Sequence, residues 1–562
     1  MDYRKIILYA AILVVALVLW NDWQRDFPPT TTITDTTVVD NAPSTAPNIT
    51  PATGTSTVPV INHTAHQRPA ANVTLVEDAH LIRVKTDVLN IVINTLGGNI
   101  EQAQLLQYHQ KLDKHSPPVE LFTTDPNAYY VAQSGLTGSE GPDTQKGQVI
   151  YQTTQTSYAL TPGMPQLQVH LTWHNNGLTV VKTYTFTQGS YAVQMRYDIT
   201  NGSDKPWTGS VYTQLARKPP VEHHSLLTSY ATYTGAAISN PDTHYQKEKF
   251  SNFADSPINQ SATNGWAAMI QQYFLSAWVP PAQQNYTYYS SVSGDIYTLG
   301  MYSNPITAAS GQTVSTSSNL YVGPAIASNL DQLSPYLHMT IDYGWLFFIA
   351  QFIFWMMKHI FDVVGNWGWS IILVTIVIKI IFYPLSTKSF RSMAYMRRLQ
   401  PKVAQLKERF GDDKQAMSRA MMDLYRKEKV NPLSGCLPII IQIPVFIALY
   451  WVIMQSVELR HAPWILWVQD LSTHDIYYIL PVVMGLLMFV QQKLSPPPPD
   501  PTQAKVMMFM PVIFTVLFLG FPSGLVLYWI TNTLTTVLHQ YYIMYKVEQE
   551  EKHKQQKLAL KK

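Results

Sequence analysis

The sequence predicts a mixed fold: a six-span α-helical membrane protein carrying a large all-β domain of sandwich type on the periplasmic side. Three observations predict it. Charged residues make up 13% of the 562-residue chain, against roughly 25% in ordinary soluble domains. The apolar residues gather towards the two ends, while the middle is polar and alternates with a period of two. A strongly basic segment between the C-terminal apolar runs fixes which side of the membrane each loop faces.

Arg4 and Lys5 precede an apolar run from Ile6 to Trp20. The run ends in Leu19-Trp20-Asn21-Asp22-Trp23, with no small-residue cleavage pattern. Residues 1–23 are therefore expected to be an uncleaved signal anchor with a cytoplasmic N-terminus. Residues 24–80 are rich in Thr, Pro, Asn and Ala. They bury too little apolar surface to offset chain entropy and are expected to be a disordered linker. From Leu81 the period becomes two. Leu167, Val169, Leu171 and Trp173 share one strand face, and Tyr191, Val193, Met195, Tyr197 and Ile199 share another. Gly97-Gly98, Asn175-Asn176-Gly177 and Gln188-Gly189-Ser190 supply turns. The β domain is expected over 81–335, with few helical stretches.

Two apolar runs follow, Trp345 to Met357 and Trp367 to Leu385. The segment from Lys388 to Lys429 decides which one spans. It holds twelve Lys and Arg against five acids, a net charge of +7 in a chain whose total is +3. Positive-inside bias places it in the cytoplasm. An odd number of spans must reach it from a periplasmic domain, so one run spans. Residues 366–387 have the better length and fewer charges. Residues 344–365, with Lys358, His359 and Asp362, are expected to lie along the outer surface as an interfacial helix.

The basic segment 388–430 reads as a helical hairpin. Met396, Leu399, Val403 and Leu406 mark one helix, Gly411-Asp412-Asp413 the turn, and Met417, Met421, Leu424 and Tyr425 the second helix. A solvated charged loop is the alternative. Further spans are expected at 433–456, 476–493, 506–521 and 524–545. A cytoplasmic loop over 494–505 contains Pro496 to Pro499. Counting from a cytoplasmic N-terminus, six spans return the basic tail 546–562 to the cytoplasm, so the parity closes.

Composition and motifs exclude several functions. A net charge of +3 is too small for nucleic-acid binding. Cys436 is the single cysteine, in an apolar run, and reads as a small buried hydrophobe. No phosphate-binding G-x-x-x-x-G-K-[ST] and no H-E-x-x-H occurs. His223-His224 reads as plain surface. No cofactor, metal or enzymatic activity is expected.

The polar residues inside the spans carry the functional signal. Lys379 lies twelve residues beyond Trp367, or roughly 18 Å along a helix. An ionisable group at such depth costs on the order of 3 kcal/mol. It faces either a wet cavity within the bundle or snorkels to the cytoplasmic headgroups; position alone does not decide. Thr375 lies one turn earlier on the same face, and Gln442 lies inside the next span. Tyr528, Thr531, Asn532 and Thr535 form a stripe on the last one. Each alone could serve helix packing. Together with a buried lysine they point to a hydrophilic groove.

Val364-Gly365-Asn366-Trp367-Gly368, Tyr383-Pro384-Leu385, Leu399-Gln400-Pro401-Lys402 and Gly411-Asp412-Asp413-Lys414-Gln415 closely resemble the bacterial YidC family. So do Glu428-Lys429-Val430-Asn431-Pro432-Leu433, Val457-Glu458-Leu459-Arg460, Tyr477-Tyr478-Ile479-Leu480-Pro481 and Phe521-Pro522-Ser523-Gly524-Leu525. Val84-Lys85-Thr86-Asp87-Val88 and Ile93-Asn94-Thr95-Leu96-Gly97-Gly98 resemble the family's periplasmic domain. The resemblance implies an insertase and membrane chaperone of the bacterial inner membrane, working alone or beside the Sec translocon. It implies a β-supersandwich with a sugar-mutarotase-like fold. Nascent membrane proteins, the ribosome, the signal recognition particle and its receptor, and membrane lipids are the implied partners. It also implies a groove cation at Lys379, where Gram-negative members usually carry arginine. Lysine keeps the charge and loses the bidentate fork. Thr375, Ile443, Pro444, Tyr528 and Trp529 match groove or substrate positions, with Gln442 and Asn532 beside them. Tyr383 and Asp500 match ribosome-contact positions, and the basic Arg397, Arg398 and Lys402 join them as targeting contacts. An ion-coupled small-molecule transporter using Lys379 is the alternative, although no internal repeat is visible. A sugar-binding periplasmic receptor is a further rival.

Overall fold

The computed structural model describes residues 80–560, apart from 114, 145–146, 221–232, 241–242, 412, 429, 432–436 and 497–500. The expected anchor 1–23 and nearly all of the linker therefore lie outside the described residues, as do His223-His224, Cys436 and Asp500.

The alternating segments form two sheets. One runs in the order Asn259–Thr263, Asn285–Ser293, Ile296–Ser303, Trp207–Arg217, Tyr130–Gly138, Asn99–His109, Leu89–Asn94, Leu81–Lys85 and Ser157–Ala159. The other runs Gln246–Glu248, Gly235–Ser239, Trp266–Gln271, Phe274–Val279, Thr313–Pro324, Ala192–Asn201, Leu178–Thr187 and Gln166–Asn175. Neighbours along both orders pair antiparallel except Leu81–Lys85 with Ser157–Ala159. The period-two reading sets the register. Val193, Met195, Tyr197 and Ile199 are all buried, as are Val169 and Leu171. Leu178 pairs with Asn175, so Asn176 and Gly177 form a two-residue hairpin turn with φ of 45° and 83°. Positive φ at both positions is what this turn needs to follow the strands' twist, and Asn-Gly supplies it most cheaply. Trp266, Trp278, Tyr184, Tyr286 and Tyr288 fill the interior. The helices of this domain are short: α1, Asn252–Asp255, and α2, Ala327–Leu333.

Helices dominate from there on: α3, Phe347–Val364; α4, Trp367–Ile381; α5, Tyr383–Arg398; α6, Gln400–Phe410; α7, Lys414–Lys427; α8, Leu437–Gln455; α9, Ile479–Leu494; α10, Pro501–Phe518; and α11, Ser523–Ala559. Among the described residues, Gly344–Val364 is the helix long and apolar enough by itself to cross a membrane. The segments over 440–455, 479–494 and 504–518 are shorter apolar helices.

Several boundaries differ from the sequence reading. The span expected over 366–387 ends as a helix at Ile381, and α5 leaves it at 70°. Proline explains the break. Pro384 sits in the first turn of α5, where its missing N–H costs nothing, and it disfavours helical continuation through the residue before it. Pro401 does the same at the start of α6. The region expected to be a two-helix hairpin over 388–430 is thus three helices: α5 extends the elbow, and α6 and α7 form the hairpin. Gly411, with φ of 51°, ends α6. The Asp413 side chain caps α7 by accepting from the Gln415 and Ala416 N–H groups. The expected tail 546–562 is no separate element, because α11 runs unbroken to Ala559.

The β domain meets the helices at a few polar contacts. The Gln272 amide donates to the Met454 carbonyl at 2.5 Å, and Lys247 pairs with Asp342. Arg460, on the loop after α8, donates to the His109 and Gln110 carbonyls at 2.7 and 3.1 Å and lies over the Phe274 ring.

Candidate functional site

An apolar helix turns into a site where its polar residues find one another. On α4, Asn366 caps the N-terminus through the Trp369 N–H and ties it to the Pro463 and Trp464 carbonyls. Thr375 and Lys379, one turn apart, then project from the same face near the other end. Thr375 is buried and returns its hydroxyl to the Ile371 carbonyl at 2.6 Å. Its polarity is thereby satisfied within its own helix.

The Lys379 ammonium is held across the bundle. Its Nζ donates to the Thr536 hydroxyl oxygen at 2.8 Å and reaches the Gln442 side-chain oxygen at 3.5 Å. Thr536 gives its own proton to the Asn532 carbonyl at 2.7 Å, which leaves its oxygen as an acceptor. Among the described residues Lys379 makes no ion pair. A cation held by neutral dipoles alone keeps most of its field available to an incoming anion.

Thr375, Lys379, Gln442, Tyr528 and Asn532 all line one groove, together with Ile378, Phe382, Leu385, Ser386, Ile441 and Val445. Counting the open solvent at its mouth, its empty space is about 450 Å³, while the room it encloses for water is about 40 Å³. Five of the eight groove residues expected from sequence therefore converge. The other three do not line it. Ile443 is half exposed on the neighbouring face of α8, and Pro444 lies inside the same helix. Trp529 packs among Phe446, Phe514 and Phe518, with ring centroids 5.1 to 5.9 Å apart. Phe446 also stacks with Tyr528. An aromatic cluster spanning α8, α10 and α11 thus adjoins the polar groove.

Sequence reasoning missed Thr536, the nearest partner of Lys379. The stripe read on the last span stopped at Thr535, yet Thr536 is one turn beyond Asn532, and that spacing was the available signal.

The expected cytoplasmic contacts are placed as follows. Tyr383 opens α5 and stacks on His539 with ring centroids 4.4 Å apart. Arg397 reaches the Leu494 carbonyl at 3.5 Å. Arg398 pairs with Glu551 at 3.3 Å, and Lys402 pairs with Glu428 at 2.5 Å. Asp500 lies outside the described residues. Arg398 and Lys402 therefore hold helices to one another as well as presenting charge.

Known proteins are similar to this chain along nearly its whole length. Residues 81–356 match the family described as the YidC periplasmic domain, and residues 359–551 match the 60Kd inner membrane protein family. A protein of Coxiella burnetii (strain Dugway 5J108-111) named membrane protein insertase YidC is 48% identical over 560 residues, which is 97% of this chain and 96% of that protein. A protein of the same name from Pseudomonas putida (strain F1) is 45% identical over 554 residues, covering 98% of this chain and 99% of its own. A crystal structure described as an active YidC insertase with its first transmembrane domain resolved is 20% identical, with a TM-score of 0.37, over 82% of this chain and 92% of its own. The relatives carry the name of an insertase and not that of an enzyme. By identity and coverage, this chain belongs to the YidC family of inner membrane proteins.

Proposed function

We propose that this chain inserts integral proteins into the bacterial inner membrane and helps them fold, using the Lys379 groove as the entry point. The observation that carries the reading is an ammonium in the last turn of an apolar helix, facing other helices and bound, among the described residues, by neutral groups. A nascent segment first meets the basic hairpin α6–α7. Its polar N-terminal part enters the groove and is drawn towards Lys379. Polar side chains and backbone in the groove lower the cost of moving polar groups partway across. The hydrophobic segment then leaves into lipid along the aromatic cluster of α8, α10 and α11. Its burial supplies the driving force, so no nucleotide is needed.

In this reading α4, α8, α9, α10 and α11 are spans, and residues 1–23 add a sixth. Both termini are cytoplasmic and the β domain is periplasmic. α3 lies on the outer surface. Its buried face, Ala350, Ile353 and Met357, packs on the bundle, while Phe348, Phe352 and Trp355 are exposed. Such aromatic exposure suits the headgroup boundary. The fifteen residues of α4 and the sixteen of α9 make roughly 22 and 24 Å of helix, against about 30 Å of hydrocarbon. Short spans favour local thinning of the bilayer, which shortens the path. The cytoplasmic face, with Tyr383, Arg397, Arg398, Lys402 and Asp500, is where the ribosome, the signal recognition particle and its receptor would dock. Cooperation with the Sec translocon belongs to the same proposal.

The test is reconstitution of the purified full chain in liposomes, with protease protection of a small newly made membrane protein as the readout. Wild type and Lys379→Arg are expected to insert it, and Lys379→Leu to lose acidic-tailed substrates most. Insertion no better than in empty liposomes, by protein shown to be folded, would overturn the function. Equal insertion of every substrate by Lys379→Leu would overturn the electrostatic step alone.

A further inference from the structure

We infer that His539 is a positioning residue for Lys379: it clamps the elbow between α4 and α5 onto α11. The inference rests on the groove reading above. Asn532, Thr536 and His539 follow one another at spacings of four and three on one face of α11. On α5, Tyr383, Thr387 and Phe390 do the same, and the two faces meet. The His539 ring lies parallel to Tyr383, 4.4 Å away and tilted by 8°. Phe390 meets it edge-on at 5.0 Å, and its Nε2 lies 3.0 Å from the Thr387 hydroxyl oxygen. Thr387 sends its proton to the Tyr383 carbonyl at 2.8 Å, leaving its oxygen to accept from an Nε2–H.

The position of these contacts gives them their effect. Phe382 alone separates α4 from α5, and the two helices diverge by 70°. A break of one residue is a pivot. Lys379 lies three residues before it, and Tyr383 immediately after it. One stretch of α11 holds both limbs, Thr536 on the lysine and His539 on the elbow. Other contacts between α5 and α11 lie further along. Ala394 packs with Ile543 and Val547, and one guanidinium nitrogen of Arg391 donates to both Glu550 carboxylate oxygens at 2.6 and 2.9 Å. They fix the direction of α5 but leave the elbow free to rock. A small shift of a charged group matters because its interaction with an incoming charge depends on distance and on what else it touches.

The test uses the liposome assay with one hydrophobic segment carrying either an acidic or an uncharged tail. The proteins are wild type, Lys379→Leu, His539→Ala, His539→Phe, His539→Gln and the Lys379→Leu/His539→Ala double variant. His539→Ala is expected to lower insertion of the acidic tail about threefold to tenfold, the range set by one hydrogen bond or one aromatic pair. The loss should exceed that for the uncharged tail, and it should nearly vanish when Lys379 is already leucine. His539→Phe keeps the stack and His539→Gln keeps an N–H, so each should recover part of the rate. They also show whether a lost rate reflects failed folding. Equal losses for both tails, losses that multiply in the double variant, or no loss would overturn the inference. If Lys379→Leu fails on acidic tails while His539→Ala does not, the groove reading stands and the clamp falls. If Lys379→Leu inserts acidic tails normally, the electrostatic step and the clamp both fall.

Discussion

At the scale of single residues, the surroundings of two described lysines, Lys182 and Lys379, assign them opposite tasks. Lys182 is fully buried between the sheets. Its Nζ donates to the Gly97 and Ser134 carbonyls, both at 3.0 Å, with the rings of Tyr151, Tyr184 and Tyr197 around it. Asp143, buried nearby, accepts the Leu136 N–H at 2.6 Å. Burial pushes the Lys182 ammonium well down from its ordinary range and the Asp143 carboxyl well up, and each partly offsets the other's shift. Such a group is committed to structure. Lys182→Met should leave two carbonyls unpaired and Asp143 without its counter-charge. That should cost about 1–3 kcal/mol, typical of buried polar groups left without a partner. Adding Asp143→Asn should return part of the loss. Urea unfolding of the four proteins checks it, and strictly additive losses would show that the two groups do not couple. Lys379, by contrast, meets two neutral oxygens at the edge of a groove, so its charge remains available.

At the scale of elements, the loop from Val457 to Arg460 joins the bundle to the β domain, and its stability should fall as pH rises. Glu458 is half-buried, and burial raises its carboxyl above the usual range, against weaker lowering by its own backbone N–H and by Lys358. A raised folded pKa means that the fold prefers the protonated form. The stabilisation is complete below the unfolded value near 4.5 and is lost as pH rises through the folded value. Glu458→Gln keeps the neutral form at every pH. Its melting temperature should therefore match wild type near pH 4 and exceed it increasingly towards pH 8; a constant difference would refute the account. This scale also shows what the sequence could and could not tell. The strands were legible because side chains alternate between core and surface, as from Val193 to Ile199. The break after Ile381 was hidden because the apolar run continues to Leu385, although Tyr383-Pro384 carried the signal. Lys379, Thr375, Gln442, Tyr528 and Asn532 could be singled out because polar groups in a span are anomalous wherever they point. Thr536 carried only its spacing from Asn532, and His539 could not be found, because its importance comes from which face of α11 meets α5. The same holds for Arg398, whose Glu551 partner is distant in sequence and adjacent only because α11 continues to Ala559.

At the scale of the whole molecule, the β domain and the groove are built from separate residues and meet far from the lysine. Every lining residue of the groove comes from 375–386, 441–445 or 528–532. The polar contacts described above between the β domain and the rest of the chain fall on Asp342, Met454 and Arg460. Asn366, at the end of α4 next to that loop, is thirteen residues from Lys379, or roughly 20 Å along a helix. Removing residues 85–330 would strip Lys247 from Asp342 and free Arg460 from its two carbonyls. These are polar contacts at an interface, and the loss should be modest, about 1 kcal/mol for each hydrogen bond. Nothing in the groove would lose a partner. The truncated chain should therefore insert a small test protein at a rate within about threefold of wild type, a difference of under 1 kcal/mol in barrier. Its melting temperature should fall at the same time, because the loop after α8 loses its anchor. Loss of insertion with the helical part still folded would mean that the β domain contributes directly to substrate handling. Arg460→Ala in the full chain separates the two explanations, since it loosens the same loop while leaving the domain in place.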